Sequence, residues 1–178
     1  MPGKVKLPRM KPNRLFTHAL LLCALAGGGV LTYQQTTSHE TTPPISYVLL
    51  DGAKADSSQW IGKVILVNFW ATSCSTCVHE MPQIVATHEK FKARGFDTLA
   101  VSMSYDPPAF VSDFAQSRKL PFGVAIDNTG EIARLFGSIA LTPTTLLINK
   151  RGEIVKRYVG APDFLALHIL VEKLLTES

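Results

Sequence analysis

Two cysteines separated by two residues, Cys74-Ser75-Thr76-Cys77, are the part of this sequence best equipped for chemistry. A pair at that spacing can exchange with a disulfide, hold a soft metal or close an inert cross-link. The flanking residues separate these uses. The run Val64-Ile65-Leu66-Val67-Asn68-Phe69-Trp70 is short and rich in β-branched and aromatic residues, which predicts a strand buried on both faces. From Ser75 onward, Cys77, Met81, Ile84, Val85, His88 and Phe91 recur at three and four residues, which predicts a helix stopped by Gly95. Cys74 then falls at the helix start, where unpaired N–H groups and the positive end of the dipole favour a thiolate over a thiol. Cys74 is thereby the candidate nucleophile, and Cys77, one turn on, the thiol that releases a mixed disulfide. The hydroxyls of Ser73, Ser75 and Thr76 are further donors, and no basic side chain is adjacent.

A structural zinc site needs a second ligand pair, and the nearby candidates His79 and His88 have eight residues between them rather than the three to five of a finger. An inert cross-link has no need of a strand-to-helix junction. Glu80 lies three residues after Cys77 and four before Ile84, which places it on the inward face of the helix. Burial of a carboxyl there raises its pKa towards neutrality, the range in which it moves protons, and Cys77 is the thiol it would serve. The competing reading is a surface-leaning glutamate that merely favours the first helical turns.

The lead-in Phe69-Trp70-Ala71-Thr72, the following Glu80-Met81-Pro82 and the downstream Leu141-Thr142-Pro143-Thr144-Thr145 resemble the membrane-linked thioredoxin-like reductases of the TlpA/ResA type, over residues 47–175. The resemblance implies a thioredoxin-like α/β fold, a central mixed sheet flanked by helices on both faces. It implies a dithiol:disulfide oxidoreductase outside the cytoplasm that reduces specific protein disulfides, such as those of apocytochrome c or a metallochaperone. An inner-membrane thiol transporter would supply the electrons. No cofactor is implied beyond the redox-active Cys74–Cys77 disulfide, and no metal. The resemblance agrees on Glu80 as a catalytic residue. It adds Trp70, Thr142 and Pro143 on the substrate side, with Pro143 in cis and the Thr142 backbone free to pair with an extended substrate segment. The chain departs from the family at Ser73, where an aromatic residue is usual, and at Ser75-Thr76, where a proline is common; this dipeptide tunes the reduction potential.

Two rivals share the fold. A redoxin-type peroxidase needs threonine or serine three residues before its cysteine, and Ala71 stands three before Cys74 while Cys74 itself stands three before Cys77. A copper-binding thioredoxin-like module would use the cysteines as soft ligands, without methionine-rich or further cysteine support here.

The elements that must position these residues fit in one domain. At 178 residues, 46% apolar and 18% charged, the chain can bury one core. Its net charge of +4 is local: Lys4, Lys6, Arg9, Lys11 and Arg14 are followed by 13 basic against 14 acidic residues, so the body offers nucleic acid no electrostatic footprint. Residues 1–33, a basic head and an apolar run, predict a signal anchor or a cleaved signal peptide that places the rest on the periplasmic side of the inner membrane. Residues 34–44, rich in threonine and ending in Pro43-Pro44, predict an extended tether, and residues 45–178 the thioredoxin-like domain.

Within the domain, residues 47–50 predict a strand closed by Asp51-Gly52, and residues 96–103 a second buried strand. Asp106-Pro107-Pro108 predicts an N-cap for a helix with Phe110, Val111, Phe114 and Ala115 on its inner face. Residues 122–126 predict a short strand, and Asn128 or Thr129 the cap of a small helix stopped at Gly137. Thr144–Ile148 and Glu153–Val159 flank a turn containing Gly152, and residues 162–176 predict the last helix.

Overall fold

The computed structural model describes residues 40–177. The basic head, the apolar run and residues 34–39 of the expected tether lie outside the described residues. In chain order the elements are β1 (Glu40–Thr41), β2 (Ser46–Val48), β3 (Lys54–Asp56), β4 (Val64–Trp70), α1 (Ser75–Phe91), β5 (Phe96–Ser102), α2 (Pro108–Ser117), β6 (Gly123–Ile126), α3 (Glu131–Leu135), β7 (Thr144–Ile148), β8 (Glu153–Val159) and α4 (Phe164–Thr176).

Six strands form a mixed sheet in the order β1-β8-β7-β4-β5-β6. β4 is central and buried at all seven positions, as a strand covered on both faces must be. Its side chains alternate between two cores. Val64, Leu66 and Trp70 pack with Met81, Ile84 and Phe91 of α1, Val111 of α2 and Leu167 and Val171 of α4. Ile65, Val67 and Phe69 pack on the opposite face with Ile132 of α3, Phe136 and Trp60. Full burial of such a side chain stabilises the fold by about 1.5–3 kcal/mol.

β4 and β5 run parallel, from Val64 opposite Phe96 to Trp70 opposite Ser102. β7 runs antiparallel to β4 with Thr144 opposite Phe69. The loops after β4, after β5 and before β7 therefore meet at one end of the sheet, and this convergence assembles the site.

Four local expectations are corrected. Glu40 and Thr41 pair with Ile154 and Glu153, so the sheet already claims residues within the stretch read as tether. Asp106 does not cap α2, whose N-cap is Pro107 without a side-chain bond; the carboxylate has stronger donors on the neighbouring loop. Phe110 is exposed, because α2 is anchored through Val111 and Ala115 alone in its buried set. For α3, Asp127 takes the place expected of Asn128 or Thr129 by accepting from Ile132 N (3.1 Å) and Ala133 N (2.8 Å), although Thr129 Oγ1 still accepts from Glu131 N at 3.3 Å. The remaining elements stand close to their expected bounds, with β2 and β3 forming a small hairpin of their own.

Candidate active site

Trp70 ends β4, and the chain turns within four residues to start α1. Cys74 N donates to Ala71 O (3.1 Å), which makes the turn tight, and Cys74 becomes the N-cap of α1. Its Sγ accepts a hydrogen bond from Cys77 N at 3.1 Å, the place a serine or aspartate oxygen takes at ordinary helix starts. Thiolate charge on this sulfur would face a backbone donor and the positive end of a 17-residue helix. Cys74 and Cys77 form a disulfide with Cα atoms 5.2 Å apart. Cys74 is half-buried, whereas Cys77 has no exposed surface, so an incoming sulfur can reach only Cys74.

The turn is clamped by a residue whose role sequence reasoning missed. Asp106, 2% exposed, accepts from Thr72 N (2.6 Å) and Thr72 Oγ1 (2.5 Å), with Ser102 Oγ as a third donor at 3.3 Å. Met103 N also donates to Trp70 O (3.0 Å). The loops after β4 and β5 are thus joined through backbone and carboxylate. Asp-Pro-Pro reads as a helix cap in sequence, and only the parallel register of β4 and β5 reveals that Thr72 is within reach.

Glu80 is buried, 2% exposed, one turn beyond Cys77. Its Oε1 accepts from Asn68 Nδ2 at 3.1 Å, and its Oε2 has no hydrogen-bond partner among the described residues. Removal from water pushes the carboxyl up to about 7, and the Asn68 bond opposes this only in part. Asn68 Nδ2 also donates to Thr145 Oγ1 (2.9 Å), which ties the carboxyl to β7. Asn68 was legible as the polar member of an otherwise apolar strand, on the same side as Leu66 and Trp70 by alternation, yet its partner was not.

The Thr142–Pro143 peptide bond is cis. Pro143 O accepts from Gly160 N (2.8 Å), and Leu141 O from Thr144 Oγ1 (2.7 Å). Between them, the N–H and C=O of Thr142 have no hydrogen-bond partner among the described residues. Since Thr144 lies opposite Phe69, Thr142 and Pro143 sit at the end of β4 from which the cysteine turn departs.

Trp70 does not belong to an exposed substrate surface. It has no accessible area and packs on Phe114 with ring centroids 5.0 Å apart, because the alternation of β4 turns it into the core beneath α1. His79 is exposed on the first turns of α1. His88 is buried against Thr98 (3.2 Å) with its pKa lowered by desolvation, three turns from the cysteines along α1.

A disulfide at a helix N-terminus, a buried second cysteine and a cis proline on the adjoining loop define a thioredoxin-fold dithiol:disulfide oxidoreductase. The chain belongs to the Redoxin family, whose model matches residues 37–166. It is 35% identical over 159 residues to the thiol-disulfide oxidoreductase ResA of Bacillus cereus, covering 85% of this chain and 91% of that one. The ResA of Geobacillus kaustophilus is 31% identical over 149 residues, covering 80% and 84%. Among solved structures, a thioredoxin-family thiol:disulfide interchange protein from Chlorobium tepidum superposes with a TM-score of 0.72 at 26% identity, over 78% of this chain and 98% of that one.

Proposed function

We propose that the protein reduces specific protein disulfides outside the cytoplasm, held at the membrane by its N-terminal segment. The observation that carries the disulfide-exchange part of this reading is the asymmetry of the cysteine pair: Cys74 is reachable and capped by a backbone donor, while Cys77 is fully buried, one turn before a carboxyl pushed up to about 7. In the reduced protein, the Cys74 thiolate attacks one sulfur of a substrate disulfide and expels the other as a thiolate. Cys77, losing its proton to Glu80, then attacks Cys74 and expels the first substrate sulfur. The protein ends as the Cys74–Cys77 disulfide, and the substrate gains two electrons and two protons. Thr142 pairs its free backbone with an extended substrate segment beside Pro143.

The relation to the ResA thiol-disulfide oxidoreductases supports disulfide exchange with a protein partner. In this reading the substrate is apocytochrome c or a metallochaperone, and an inner-membrane thiol transporter restores the dithiol. No second reading is favoured by a specific observation, since Ala71 gives a peroxidase no hydroxyl at the required place.

Trapping tests the reading. Cys77→Ser in cells should accumulate mixed disulfides through Cys74, and Glu80→Gln should prolong the same complexes at pH 7 while leaving the initial attack nearly intact. Rapid peroxide consumption by purified protein, with no trapped complexes, would replace the reductase with a peroxidase.

A further inference from the structure

Tyr105 lies on the turn between β5 and α2 and is 58% exposed. The turn beneath it is fixed. Met103 N donates to Trp70 O (3.0 Å), Asp106 N donates to Met103 O (3.0 Å), and the Asp106 carboxylate holds Thr72. The clamp that presents Cys74 therefore presents Tyr105 as well. An exposed tyrosine can leave its hydroxyl to water, but here it shares a hydrogen bond of 3.2 Å with Thr142 Oγ1, a residue 37 positions further along the chain. This bond spans from the loop tied to the cysteine turn to the loop of Pro143.

The surroundings have a common chemistry. Leu141, next to Thr142, and Phe110, on the first turn of α2, are exposed apolar side chains at the same end of the sheet. Around the cysteines stand Ser73, Ser75 and Thr76. None of these carries a charge, and His79 is the one ionisable side chain exposed on the same first turns of α1. A substrate segment paired with the backbone of Thr142 lies beside the residue whose side chain holds the Tyr105 hydroxyl at 3.2 Å, next to an exposed aromatic face.

We propose that Tyr105 is a specificity-determining residue of the substrate cleft, selecting extended polypeptide disulfides with an apolar or aromatic side chain beside the cysteine over small charged disulfides. This rests on the disulfide-reductase reading and names the substrate class within it. The ring forms one wall against that side chain, and its hydroxyl, by bridging to Thr142, holds the wall at the distance the segment needs. An aromatic contact of this kind supports discrimination of about tenfold.

The test uses the full-length protein in its dithiol form, reacted with two disulfides: a peptide dimer carrying leucine beside its cysteine, and glutathione disulfide. The measured quantity is the ratio of their second-order rate constants. In the wild type the ratio favours the peptide. Tyr105→Ala should reduce it about tenfold, and Tyr105→Phe, which keeps the ring, should retain most of it. The dithiol–disulfide equilibrium with glutathione should agree within twofold among all three, which a general disturbance of the cysteine turn would not allow. If Tyr105→Ala slows both disulfides equally, or leaves the ratio as it was, the role of Tyr105 is overturned while the reductase stands. A wild type that reduces neither disulfide overturns the reductase reading itself and this inference with it.

Discussion

Replacing Glu80 by glutamine should change how stability depends on pH, in a direction the burial dictates. The carboxyl rises from the ordinary 4.5 to about 7 in the folded protein because the charged form is cut off from water. Folding therefore favours the protonated acid. Its contribution is fully present below pH 4.5, declines as pH rises and is gone above about 7, where the buried group must ionise. At 1.36 kcal/mol per pKa unit, the difference between the two values amounts to about 3 kcal/mol. Glutamine keeps the shape and an acceptor for Asn68 Nδ2 but does not titrate. Urea unfolding of the disulfide-bonded proteins at pH 4 and pH 8 isolates the effect, since every other titrating group is shared. The stability of the wild type relative to Glu80→Gln should fall by about 3 kcal/mol between the two pH values, a shift of about 1–3 M in relative urea midpoint at ordinary m-values. Parallel pH dependences in the two proteins would show that Glu80 is solvated and ionised like any surface glutamate, and would remove it from the proton-transfer step.

Asp106→Ala takes both hydrogen bonds from Thr72 and should cost about 2–3 kcal/mol in urea unfolding, with Asp106→Asn losing less because it keeps an acceptor. Burial lowers the pKa of His88, so the folded state favours neutral imidazole; its contribution is present above about pH 6.5 and is lost as pH falls through the unfolded value towards the lower folded one. Wild type should therefore lose stability relative to His88→Gln between pH 7.5 and 5, and an unchanged difference in unfolding midpoints would show that His88 protonates freely. For the N-terminal segment, full-length protein should fractionate with membranes, whereas a mature N-terminus near Gly27 would identify a cleaved signal.

Much of the fold was legible because its signals are local. The β-branched run of β4, the three-and-four spacing of α1 and the glycine turn at Gly95 each depend on neighbours within a few residues. Cys74, Cys77 and the burial of Glu80 followed from the same helical geometry. What stayed hidden depends on contacts across the sheet. Asp106 on Thr72 and Asn68 between Glu80 and Thr145 join residues 12 to 77 positions apart, and no periodicity encodes such pairs. The resemblance puts Trp70 on the substrate side, whereas the strand's alternation, already present in the sequence, directs it inward. Tyr105 carries no motif at all, and only the meeting of two loops brings it to Thr142.

The reduction potential of the Cys74–Cys77 pair tests the central claim most directly, measured by equilibrating the full-length protein with glutathione buffers of known poise. A reductase requires a value near that of thioredoxin, about −270 mV, so that electrons run from this pair into substrate disulfides. A value near about −120 mV, that of a strong periplasmic oxidant, would contradict the account, because the Cys74 thiolate would then be too stable to give its electrons away.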